Sequence, residues 1–167
     1  MTLRLILTRH AKSSWDSPAL DDHDRPLNAR GRGSAEKVGA WLAAQGYVPD
    51  AVLSSSSART RETWALMAPH FGTRPQLRWE RALYHAGPNT MLEVLRTAPT
   101  VGCVLMLGHN PGIAAFAESL VAQEPQHPRF FDYPTAATTV IDFDLPAWGD
   151  VDWRKGVAVD FAIPREL

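Results

Sequence analysis

The feature that most constrains this chain is a nearly unbroken apolar run from Val101 to Leu107, closed by Gly108-His109-Asn110. A half-exposed strand alternates apolar and polar residues; a run without polar interruptions needs cover on both faces, as a central parallel strand has. Parallel strands in turn need crossover connections, usually helical. The rest of the chain supplies both. Leu3, Leu5, Ile6 and Leu7 form a first short run that stops at Thr8-Arg9-His10, Ala51 to Leu53 a second that serines break at 54 to 57, and Gln76 to Trp79 a third. Between them lie helical patterns. Asn28 is the expected N-cap of a helix burying Ala35, Val38, Trp41 and Leu42 and ending at Gly46. A second helix buries Trp64, Met67, Ala68 and Phe71, and a third opens at Pro88 and presents Met91, Leu92 and Leu95. Ile113, Phe116, Ala117, Leu120 and Val121 mark a fourth, cleanly amphipathic one. Alternation through Thr138 to Phe143 and Val157 to Ile163 adds two strands joined across Pro146, Gly149 and Asp150. The expected fold class is α/β, a three-layer α/β/α sandwich with a mostly parallel central sheet. With no repeat, low-complexity tract or linker, residues 1–167 read as a single domain.

Composition narrows the function. Hydrophobic residues make up 45% and charged residues 21%, as in soluble globular proteins. The 17 basic and 18 acidic residues nearly cancel, to a net charge of -1, which argues against a nucleic-acid or membrane-surface binder but permits a local basic pocket. The lone Cys103 lies in the apolar run, so it reads as a buried inert thiol and forms no internal disulfide, in keeping with a cytoplasmic location. Met1 to Thr8 is too short for a signal peptide, and no apolar stretch approaches the roughly 18 residues a membrane helix needs.

Ligands of open α/β sheets bind beyond the carboxyl ends of the strands. Here the first run ends in Arg9-His10, the central one in His109, and the second leads through serines to Arg59. Two histidines and two arginines are thereby delivered toward one edge. A neutral imidazole is a competent nucleophile near pH 7. Guanidinium forks bind phosphoryl oxygens bidentately, so positioning and charge neutralisation suffice for phosphoryl transfer. A helix starting near Arg59 adds its N-terminal dipole.

Other residue groups have plainer readings. His23, His70 and His127 read as surface residues, and His85, beside Tyr84, as a candidate for substrate contact. Two histidines with Asp16, Asp21, Asp22 and Asp24 raise a metal site, but no His-x-x-x-His spacing supports it and the neighbouring arginines oppose a cation. Neither a metal nor a cofactor is expected. Arg30, Arg32 and Lys37 read as a solvated helix face, and Trp15 as a cover for the pocket. No Gly-x-Ser-x-Gly elbow, P-loop or dinucleotide fingerprint is present.

Thr8-Arg9-His10-Ala11-Lys12-Ser13 resembles the Arg-His-Gly/Ala signature of the histidine phosphatase superfamily. Ser55 to Thr63, with a serine four before Arg59 and a threonine four after, is similar to its second motif, and Gly108-His109-Asn110-Pro111-Gly112 to its third. Arg25-Pro26-Leu27-Asn28 followed by Gly31 resembles the segment between the first two motifs, and the Arg-His-Ala-Lys-Ser version points to the SixA-like phosphohistidine phosphatases. The match runs from about residue 3 to 120. The resemblance implies a phosphoglycerate mutase-like fold, His10 as the phosphoryl-carrying nucleophile, Arg9 and Arg59 on the phosphoryl oxygens, and His109 completing the pocket. Arg25 would lie near the mouth, and Lys12 would either reach the phosphate or point to solvent. Asp16 stands where many relatives have a phosphate-binding asparagine and is left out of the site.

Many members also use a carboxylic acid after the third strand. Glu80 is the only carboxylate nearby: a candidate general acid, or an exposed strand-end residue beside Arg78 and Arg81. An alkoxide leaving group needs a proton, whereas a phosphorylated imidazole can take one from solvent on its other nitrogen. The leading expectation is therefore a metal-independent phosphohistidine phosphatase acting on a phosphorylated protein, such as a phosphotransfer protein. A small-molecule phosphomonoesterase or mutase acting on a phosphate ester is the alternative, and a non-catalytic phosphate-binding module a third.

Overall fold

In the computed structural model, which describes residues 2–167, the apolar runs alternate between two cores. Met1, included in the expected first strand and domain, lies outside the described residues. Leu5, Leu7, Leu53, Val104 and Met106 pack on one face of the sheet; Ile6, Val52, Leu105 and Leu107 pack on the other. Both faces being covered is why these strands lack polar alternation. The elements are β1 (Thr2–Arg9), α1 (Ala29–Ala44), β2 (Ala51–Ser55), α2 (Ala58–Met67), β3 (Gln76–Glu80), α3 (Pro88–Arg96), β4 (Cys103–Gly108), α4 (Gly112–Leu120), β5 (Thr138–Asp144) and β6 (Val157–Ala162). They build the expected α/β/α sandwich, with α1 and α2 on one face and α3 and α4 on the other.

The six strands lie in the order β3-β2-β4-β1-β5-β6. The first four run parallel, and β5 and β6 close the sheet antiparallel, with a bulge between Val140 and Ile141. Inserting β4 between β2 and β1 brings Arg9 into register with Gly108 and so sets His10 beside His109.

Local chemistry explains the boundaries. Asn28 caps α1 by accepting a hydrogen bond from the Gly31 N–H, as expected, and Gly46 leaves the helix at φ 79°. Some details differ from expectation, among them Trp41, which is only half-buried against the core. Ser54 and Ser55 continue β2 rather than breaking it, and both are fully buried. The second helix stops at Met67 because Pro69 follows, and Phe71 reaches the core from a 3-10 turn, stacked on Trp64 at 5.9 Å. Cys103 is only half-buried at the start of β4, although burial and Asp50 still push its thiol up to about 12. No helix among the described residues is long and apolar enough to cross a membrane.

Candidate active site

Beyond the carboxyl ends of β1, β2 and β4 lies a cavity of about 370 Å³ whose lining includes Arg9, His10, Arg25, Arg59, His85 and His109. The His10 and His109 rings sit 5.1 Å apart, tilted by 51°. His10 Nδ1 lies 2.7 Å from the Ala11 carbonyl oxygen. That oxygen can only accept, so Nδ1 carries the proton and Nε2 is left with a free lone pair. Burial lowers the His10 pKa to about 3, assisted by Arg9 and Arg59 and opposed by the Ala11 bond, so the ring is neutral at pH 7. His109 is lowered to about 2 by burial, with His10 and Arg59 adding to the effect, and its Nε2 is 2.7 Å from Ser55 Oγ.

The loop carrying His10 is fastened to α2. Thr63 Oγ1 accepts the Ala11 N–H at 3.0 Å while donating to the Arg59 carbonyl at 2.7 Å. Ser57 N-caps α2, so the helix start that carries Arg59 is fixed by the serine run itself. Arg9 donates Nη1 to the Tyr133 carbonyl at 3.1 Å, and burial, then repulsion from Arg59, lowers its pKa. Arg9 Nε, Arg59 Nε, His109 Nδ1 and Asn110 Oδ1 are buried without hydrogen-bond partners, and all four belong to residues lining this cavity. Unpaired buried polar atoms are costly, and they concentrate here.

One carboxylate organises the cations. Asp22 Oδ2 accepts from Arg59 Nη2 and His85 Nε2, each at 3.0 Å, and from the Tyr84 hydroxyl. Asp22 Oδ1 accepts from Arg25 Nε at 3.1 Å and Nη2 at 3.0 Å, and the Asp22 carbonyl from Arg59 Nη1 at 2.7 Å. Burial pushes this carboxyl up, but the hydrogen bonds from Tyr84, Arg59 and Arg25 outweigh it and hold the pKa well below the carboxylate range. Arg25 is itself buried under the Trp15 ring at 3.5 Å, while Trp15 is 75% exposed at the mouth. The arrangement has a neutral imidazole with one ring nitrogen free, forks for an anion, and a carboxylate that stays ionised.

Residues 5–83 match the model of the histidine phosphatase superfamily (branch 1). The fold aligns, over 97% of this chain and 98% of the other, with a structure provisionally named phosphohistidine phosphatase SixA from Agrobacterium tumefaciens, at 29% identity and a TM-score of 0.79. A structure under the same provisional name from Nakamurella multipartitia aligns over 98% and 97%, at 29% identity and a TM-score of 0.80. An uncharacterised protein of Mycobacterium tuberculosis is 34% identical over 163 residues, 94% of this chain and 99% of the relative. The chain belongs to the histidine phosphatase superfamily.

Within that superfamily frame, the cavity brings together Arg9, His10, Lys12, Arg25, Arg59 and His109. Lys12 is exposed on its rim. Asp16 and Glu80 do not line it. Glu80, the candidate general acid, instead accepts Arg78 Nε at 2.9 Å at the end of the edge strand β3, which is the plainer of its two sequence readings. The sequence reading gave Asp22 and Tyr84 no place in the cavity and named Ser55 only as the serine of the second motif. The available signal for Asp22 was its place three residues before Arg25, a spacing at which a turn pairs opposite charges. Among the described residues, no three His, Cys, Asp or Glu side chains cluster to hold a metal ion.

Proposed function

We propose that this superfamily member is a phosphohistidine phosphatase whose His10 carries the phosphoryl group. The observation that carries the reading is the neutral, Nδ1-protonated His10, with Nε2 free, in the same cavity as forks that already bind an anion. A carboxylate and a phosphoryl face offer similar pairs of oxygens to a guanidinium, so forks that hold Asp22 suit phosphate. In the proposed reaction Nε2 of His10 attacks phosphorus as the substrate's P–N bond breaks. The departing imidazole takes the bonding pair and keeps the proton on its far nitrogen. Arg9 and Arg59 neutralise the equatorial oxygens, and His109 adds a polar contact. Water then attacks phospho-His10, releasing inorganic phosphate and restoring the neutral ring.

The substrate class follows from the acids. Among the described residues, Asp22 is the only carboxylate lining the cavity, and it stays ionised near pH 7. Without a carboxylic acid ready to protonate an alkoxide, a leaving group that is already protonated is favoured. The test compares turnover of a phosphohistidine peptide, a phosphotyrosine peptide and an alkyl phosphate. The phosphohistidine peptide should react fastest, through an acid-labile, alkali-stable phosphoenzyme that His10→Ala cannot form. Wild-type turnover in His10→Ala would remove the mechanism, and preference for the alkyl phosphate would remove the substrate class.

A further inference from the structure

Beside the catalytic cavity lies a second groove, of about 210 Å³, whose lining includes Lys12, Arg30, Arg129 and Arg165. They come from four separate places: the loop after β1, the first turn of α1, the segment before β5 and the C-terminal turn. In a chain of net charge -1, such a cluster does not follow from composition. Among the described residues, no aspartate or glutamate lines the groove. Arg129 has a partner, Asp132 at 2.9 Å, whereas Lys12, Arg30 and Arg165 form no salt bridge among the described residues. Neighbouring charges are turned elsewhere. Glu166 accepts from His127 at 2.8 Å, and Arg32 donates to the Leu27 carbonyl at 3.1 Å. Of the basic residues read as a solvated helix face, Arg30 alone faces this groove.

The groove adjoins the site, with Lys12 and Thr135 lining both cavities. Its backbone is fixed. The Asn28 N–H donates to the Lys12 carbonyl at 3.0 Å, and α1 presses so closely that a Cβ on Gly31 would stand 2.0 Å from that oxygen. Three cations lining one groove without salt-bridge partners, Lys12, Arg30 and Arg165, attract an anionic ligand. The surroundings point to a protein ligand. Phe131, two residues after Arg129, is 52% exposed, and Trp15 projects at the mouth of the cavity. Arginine together with exposed aromatic rings is the composition of protein interfaces.

We propose that this groove docks an acidic segment of a phosphoprotein substrate while its phosphoryl group enters the cavity at His10. The substrate class rests on the function proposed above; the groove's preference for acidic flanks does not depend on which residue carries the phosphate. Peptides would be prepared in pairs, Asp/Glu-flanked against Asn/Gln-flanked, each pair phosphorylated on histidine or on tyrosine. Wild type should turn over the acidic member about tenfold more efficiently at low salt, as two or three exposed ion pairs allow. The difference should lie in KM and vanish near 0.5 M salt. Arg30→Glu with Arg165→Glu should abolish it while leaving turnover of free phosphoimidazole unchanged; Arg30→Gln with Arg165→Gln provides a milder version if the charge reversal impairs folding. Equal use of both peptides by wild type, or a preference that survives in the variants, overturns the proposal. A preference only for small bisphosphates, erased by the same variants, assigns the groove to a second phosphate and overturns it too. If only the tyrosine pair is turned over, the phosphohistidine reading fails and that pair still decides the groove.

Discussion

The two parts of the chain that meet at His10 do so with different chemistry. Up to α4 the chain supplies ionisable side chains to the cavity: Arg9, His10, Lys12, Asp22, Arg25, Arg59, His85 and His109. The last third supplies mainly neutral groups behind them. The Ala136 N–H donates to the His10 carbonyl at 3.0 Å, and the Ala137 carbonyl accepts the Arg9 N–H at 3.0 Å. The Tyr133 carbonyl accepts from Arg9 and from Asn110 Nδ2, while its buried hydroxyl donates to the Leu7 carbonyl at 2.6 Å. Both sides of the proposed nucleophile's backbone are thus held by a segment that carries no recognisable motif. An uncharged brace fixes the His10 backbone without adding to the charges that act on its ring.

Substitutions should separate the two roles. Arg59→Lys keeps a charge but loses the fork, and turnover should fall on the order of a hundredfold, about 3 kcal/mol of transition-state stabilisation. Steady-state kinetics on the phosphohistidine peptide reads this directly; near-normal rates would place Arg59 outside the machinery and erase the contrast.

On the bracing side, Tyr133→Phe removes the hydroxyl from the Leu7 carbonyl and from Thr139 Oγ1, 2.8 Å away. Stability should drop by about 1–2 kcal/mol, seen as a lower urea midpoint at unchanged slope, with turnover reduced only a few-fold. An unchanged midpoint, or a loss of turnover matching that of Arg59→Lys, would break the division between chemistry and brace.

Glu80→Gln should give the smallest effect. Its pairing with Arg78 is a partly exposed surface contact, worth at most about 1 kcal/mol, and phosphohistidine turnover should stay within about twofold of wild type. A large loss confined to alkyl phosphates would identify Glu80 as a working acid and move the substrate reading to small phosphate esters.

How much of this was legible beforehand depends on the range over which each feature is set. Strand and helix positions are written in local periodicity, so the apolar run at β4, the Asn28 cap and the strand-end placement of Arg9, His10 and His109 could be read from the sequence alone. Burial on both sheet faces follows from the same pattern, and the order of the motifs indicated the family. The fate of Glu80 was decided by strand order. With β2 and β4 between β3 and β1, the end of β3 lies three strand spacings from His10, roughly 14 Å. Only the folded molecule puts the Asp22 carboxylate between Arg25 and Arg59, turns Tyr133 back onto β1, and gathers Lys12, Arg30 and Arg165 around one groove. Apart from the Asp22–Arg25 pair, these contacts join residues distant in sequence, and a one-dimensional pattern carries no record of which way a loop side chain points.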